Sequence, residues 1–328
     1  MSRLSAVVAF LLAAPPAATA QDVPTFATGV ESVYVDVWAG RGATPIRGLT
    51  AADFEVLDNG APQKAELVDT AAVALHTVLV LDTSASVAGR PLEALKAAAA
   101  DFLKGLAPRD RATLVTFSHT RRLRGPIAGE PAGAIAALDT LSASGATALR
   151  DAVFTALELV DPKRGRAIVV VLSDGLDRVS WLSPDAVEAV ARESEATIYV
   201  VDSSGRGDRL HVTSPSGGIG LNPFDMRAGS GEGKGRLDPS VFVPHETVPF
   251  LRRLTEETGG QVFEAGSIEG LGESFRGVLD RVKNRYLLRY EPTDVRGGWH
   301  KLEVRLKGKQ GDVRARRGYL VTSATPQS

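Results

Sequence analysis

Residues 76–86 read His-Thr-Val-Leu-Val-Leu-Asp-Thr-Ser-Ala-Ser, and residues 168–174 read Ile-Val-Val-Val-Leu-Ser-Asp. From Thr77 to Leu81 and from Ile168 to Leu172 there is no alternation of apolar with charged side chains. Such a strand has no face to turn to water, which is the pattern of a parallel strand covered on both sides. Both runs end in an aspartate. Working outward, short apolar runs recur at Ala112–Ser118, Thr197–Val201 and Gln261–Ala265. Helical periodicity lies between them, near Pro91–Leu106, Pro131–Leu141, Ala148–Val160, Pro184–Ser194, Thr247–Thr258 and Ile268–Lys283. This alternation predicts an α/β fold over residues 76–285, with a doubly wound, mostly parallel sheet.

In an open sheet of that kind, ligands bind beyond the carboxyl ends of the strands, where the winding reverses. Three loops fall there: Asp82-Thr83-Ser84-Ala85-Ser86, Ser144-Gly145-Ala146-Thr147, and Ser173-Asp174-Gly175. Taken singly, each has a plain structural reading, since Ser and Thr cap helices and an Asp at a strand end makes turns. Together they resemble the metal ion-dependent adhesion site (MIDAS) of the von Willebrand factor type A family. That site combines a D-x-S-x-S loop with a Thr from a Gly-containing loop and an Asp from a later one. The resemblance implies a divalent-cation site at Asp82, Ser84, Ser86, Thr147 and Asp174. Asp177 is a candidate for its outer shell, with a turn or helix-capping role as the competing reading. Mg²⁺ is the expected ion, with Mn²⁺ or Ca²⁺ as alternatives, because hard cations take oxygen ligands. The family commonly has Gly before the second Ser, where this chain has Ala85.

The flanks read differently. In residues 21–75, Val33, Val35 and Val37 alternate with Tyr34, Asp36 and Trp38, and Phe54-Glu55-Val56-Leu57 runs into Asp58-Asn59-Gly60, a hairpin signal. An L-T-x-x-D-F phrase at Leu49–Phe54 resembles bacterial proteins related to the same family. In residues 286–328, strand patterns return at Tyr286–Tyr290, at Leu302, Val304 and Leu306, and over Val313–Val321. Neither flank is long enough to make a sandwich by itself. The two are therefore expected to pair into one small β-sandwich, with the α/β unit inserted between them. Within that unit, residues 205–246 are Gly, Ser and Pro-rich without periodicity and read as a long flexible insertion.

Residues 1–20 have the pattern of a secretory signal peptide: Arg3, an apolar run from Leu4 to Ala14, and Ala18-Thr19-Ala20 before Gln21. The apolar run falls short of the roughly 20 residues that span a bilayer, so no transmembrane segment is expected after cleavage. The expected location is secreted or periplasmic. The absence of Cys removes disulfides, thiolate metal sites and Cys nucleophiles, and a net charge of −1 gives no field that favours nucleic acid.

Neither H-E-x-x-H nor G-x-S-x-G occurs, and the chain is not expected to be an enzyme. Lys301, Arg305, Lys307, Lys309, Arg314, Arg316 and Arg317 read as a solvated strand face, with an anionic surface polymer as the lesser alternative. What the resemblance implies is an exported, adhesion-type protein-interaction module that binds an acidic side chain of a partner protein through the cation. The alternative is an envelope scaffold in which the metal is only structural.

Overall fold

The computed structural model describes residues 32–161, 165–174, 176–203 and 247–321. The expected signal peptide and the 205–246 insertion lie outside the described residues. Strands β1 (Val33–Arg41), β2 (Thr44–Pro45), β3 (Phe54–Asp58), β4 (Ala61–Gln63) and β5 (Glu66–Val68) come first. The α/β unit follows as β6 (Leu75–Asp82), α1 (Arg90–Lys104), β7 (Arg111–Phe117), β8 (Arg121–Gly129), α2 (Pro131–Leu138), α3 (Leu149–Glu158), β9 (Arg166–Ser173), α4 (Pro184–Glu193), β10 (Thr197–Asp202), α5 (Thr247–Thr258), β11 (Gln261–Glu264) and α6 (Leu271–Lys283). Then come β12 (Arg285–Tyr290), β13 (Gly298–Leu306), β14 (Asp312–Arg314) and β15 (Gly318–Val321).

The central sheet has the order β11-β10-β9-β6-β7-β8, parallel except for β8 at one edge. Every residue of β6 is buried, because alternate side chains enter two separate cores. Leu79, Leu81, Ile168 and Val170 pack under α1 and α6, where Phe102 and Phe275 meet edge to face at 5.8 Å. Val78, Val80, Val169 and Val171 pack under Val153, Val187 and Phe250 of α3, α4 and α5. From β6 the chain winds one way to β7 and β8, and from β9 the other way to β10 and β11. The reversal falls between β6 and β9, which are direct neighbours. Strand β8 gives no sequence signal, because it is mostly exposed, rich in Arg and interrupted by Gly125 and Pro126.

The flanking strands form two antiparallel sheets, β14-β1-β12-β5 and β15-β13-β3-β4. Their inner faces share one core of Val33, Val35, Val37, Phe54, Val56, Leu288, Leu302 and Tyr319, so the N- and C-terminal segments do build one sandwich. The hairpin between β3 and β4 turns at Asn59 (φ 48°) and Gly60 (φ 82°), the left-handed pair that a type I′ turn requires. Two details go beyond what the sequence pattern shows. The Val313–Val321 run is two strands, β14 pairing with β1 in one sheet and β15 with β13 in the other. From Val37 to Gly40 strand β1 is covered on both faces, because its Asp36 and Trp38 side packs on the α/β unit, whereas Tyr34 on that side stays exposed. There the Arg281 guanidinium lies 3.6 Å from the Trp38 ring centre.

Asp36 locks that junction. Its carboxylate accepts from Arg166 Nε at 3.0 Å and Arg285 Nε at 2.6 Å, and Arg285 reaches on to the Tyr199 hydroxyl and the Gly259 carbonyl. Burial alone would raise the Asp36 pKa, but the two guanidiniums hold it below the ordinary value. Most of the basic C-terminal side chains are also engaged. Lys301 and Arg305 pair with Glu303, Lys309 with Asp53, Arg317 with Glu256 and Glu257, and Arg316 donates to the Tyr34 carbonyl.

Candidate metal centre

Asp82 is the last residue of β6 and is fully buried. Its Oδ1 accepts the Ser84 amide at 2.8 Å, and its Oδ2 accepts the Ser173 hydroxyl at 3.3 Å across the β6–β9 boundary. The backbone then leaves the strand in a short 3-10 turn, Ala85–Val87, which brings the Ser84 and Ser86 hydroxyls to 2.9 Å of one another. Ser84 is buried and Ser86 is exposed, so this pair runs from the interior to the surface.

The Gly145–Thr147 loop is stitched to that turn. Ser144 N donates to Thr83 O at 2.8 Å and Ala85 N donates to Gly145 O at 2.9 Å. Gly145 has φ +79°, and a Cβ there would lie 2.0 Å from His119 Nδ1, so the close approach depends on glycine for two reasons. Thr147 is 3% exposed and stands just before α3. The third loop meets the second when Arg178 N and Val179 N both donate to Thr147 O, at 2.8 and 3.2 Å. All three loops thus converge on the carboxyl ends of β6 and β9, and all five expected residues belong to them.

Burial pushes the Asp82 carboxyl up, the negative charge of Asp174 pushes it further, and together they take it to about 7. Among the described residues no Lys, Arg or His forms an ion pair with either carboxylate, although Arg side chains neutralise Asp151 and Asp177 close by. The side chains these three loops contribute are two carboxylates and three hydroxyls, all oxygen donors, with no cationic partner at either carboxylate among the described residues. That donor set suits a hard divalent cation and is poorly suited to a soft transition metal. Among the described residues there is no cluster of three or more His, Cys, Asp or Glu that could hold a metal ion.

The family model of the von Willebrand factor type A domain matches residues 77–176. Over those residues the chain is similar to von Willebrand factor type A domains. Inter-alpha-trypsin inhibitor heavy chain H4 of Sus scrofa is 29% identical over 136 residues, and that of Homo sapiens 26% identical over 145. These matches take in 38% and 40% of this chain but only 14% and 16% of those longer proteins. Among solved structures, a von Willebrand factor type A protein from Catenulispora acidiphila aligns at 12% identity and a TM-score of 0.46, over 89% of this chain and 72% of its own. Domains of the family commonly bind a divalent cation.

Within this α/β unit, Ala85 needs no unusual backbone. It is absent from the left-handed positions, which among non-glycine described residues are only Asn59 and Ala128. Asp177 is the capping residue. Its carboxylate accepts the Arg150 amide at 2.8 Å and side chain at 3.1 Å, and the Ser180 amide at 3.1 Å and hydroxyl at 2.7 Å. Its contacts with Arg150 fasten the Asp174 loop to α3, and those with Ser180 close the loop on itself. Asp151 was not visible from sequence, yet it does the same work. Buried in the first turn of α3, it accepts from Trp181 N, Leu182 N and Arg121. Its only sequence signal is an acid in a first helical turn, which is too common to single out. Ser173, packed against Asp82, was likewise hidden as the last residue of a strand.

Proposed function

We propose that the chain is an exported, non-enzymatic protein-interaction module that takes an acidic side chain of a partner through a divalent cation, Mg²⁺ in the first instance, at a MIDAS formed by Asp82, Ser84, Ser86, Thr147 and Asp174. The observation that carries this reading is the buried Asp82 carboxylate beside Asp174, with hydroxyls in place of cationic partners. A buried carboxylate with a second carboxylate beside it is costly to ionise unless a positive charge meets it. Neutral hydroxyl ligands would leave the ion underneutralised, so that a partner's carboxylate is attracted to the open side. The match to the von Willebrand A family supports the reading, as does the expected signal peptide at residues 1–20. The test is affinity capture from the native cell envelope in Mg²⁺ with elution by EDTA. Wild type is expected to retain a partner that EDTA releases, and the Ser84→Ala, Ser86→Ala double variant to retain none. Capture that is indifferent to EDTA and to both substitutions would favour a scaffold with a purely structural metal.

A further inference from the structure

Trp181 is 93% exposed, far beyond any other large apolar side chain among the described residues, the next being Val295 at 53%. Indole is rarely left in water, since it is among the largest apolar surfaces a protein can bury. The loop that carries it is not loose. Trp181 N donates to both oxygens of Asp151, at 3.1 and 3.2 Å, and Leu182 N to Oδ1 at 3.0 Å. Ser180 is held by Asp177, and Arg178 and Val179 by the carbonyl of Thr147. The flanking Leu182 packs inward on the core of α3, α4 and α5, while Trp181 and the half-exposed Val179 turn outward. Val179, whose amide donates to the Thr147 carbonyl, is two residues before Trp181, so the loop that carries the indole adjoins the loop that carries Thr147.

We infer that Trp181 is the apolar anchor of the partner site. On this assignment, which rests on the proposed cation-dependent function, the partner segment presents an Asp or Glu to the cation and, within a few residues, an apolar side chain or cleft to the indole. Rigid backbone and exposed aromatic surface are what make a binding hot spot, because the ordering cost is met before the partner arrives. The charge around the indole agrees with an acidic partner: exposed Arg178 precedes it, while the Asp151 and Asp177 carboxylates are already engaged by Arg121 and Arg150.

The experiment is selection of a displayed random-peptide library on the full chain in Mg²⁺, followed by synthesis of the enriched peptides. They are expected to combine a carboxylate with a nearby large apolar residue, to be released by EDTA, and to shift Trp181 emission to the blue. Trp181→Ala should weaken them roughly tenfold or more while its Mg²⁺ affinity by calorimetry stays that of wild type; Trp181→Phe should recover part of the loss. Peptides that need Mg²⁺ but bind Trp181→Ala as tightly as wild type would overturn this inference and leave the cation-dependent function standing. Peptides that ignore EDTA would overturn the function itself. Trp181-dependent binding to anionic phosphatidylglycerol vesicles, with no peptide selected, would assign the indole to a membrane surface and overturn the inference as well.

Discussion

The chemistry of the site turns on Asp82. Its pKa stands at about 7 against an ordinary 3.8, raised by burial and then by Asp174. The sign of the linkage follows: between those two values the folded, metal-free protein holds a proton that the unfolded chain does not. Metal-free stability therefore falls as pH rises from about 4 to about 7. Thermal unfolding in EDTA across that window should show the decline, and Asp82→Asn should flatten it. Saturating Mg²⁺ should remove the decline as well, because a bound cation favours the ionised carboxylate. A slope that Asp82→Asn leaves unchanged would assign the effect elsewhere.

At the scale of loops and strands, the three loops that carry the expected ligands come together because short backbone bonds tie them to one another. Gly145 is the tightest point, where a left-handed φ and contact with His119 coincide. Gly145→Ala is expected to cost about 1–2 kcal/mol from the backbone alone and to weaken Mg²⁺ binding more than the distant Gly60→Ala, which strains the β3–β4 turn but touches no ligand loop. Denaturant unfolding paired with calorimetry separates the two effects. The sequence showed which loops would meet, since Asp82 and Asp174 end strands too apolar to lie anywhere but the sheet centre. It did not show what holds them there. Asp151 and Ser173 act through contacts across the fold and carry no local pattern. Strand β8 was hidden because its face is exposed and its residues are arginines, glycine and proline, with no period to read.

For the whole molecule, the sequence revealed two half-sandwiches too short to fold separately, and the sheets show why the α/β unit can sit between them. Strands β1 and β12, on either side of the insertion, pair along Val33 to Trp38. The Asp36 and Trp38 side of β1 meets the α/β unit, a contact that alternation of side chains cannot reveal. Asp36 bridges the units through Arg166 and Arg285, and Arg285 is wholly buried. Asp36→Ala should cost about 3–5 kcal/mol because it strands two buried guanidiniums. That loss should appear as one cooperative transition at lower denaturant if the units unfold together, and as two transitions if the ion pairs are what couples them.

The most direct measurement is calorimetric titration of Mg²⁺ into the metal-free full chain, with Asp82→Ala and the Ser84→Ala, Ser86→Ala variant alongside, each verified as folded by circular dichroism. Wild type is predicted to bind one ion per chain, and both variants to lose that binding. Equal, saturable binding by folded wild type and folded Asp82→Ala would contradict the assignment of the metal to these loops.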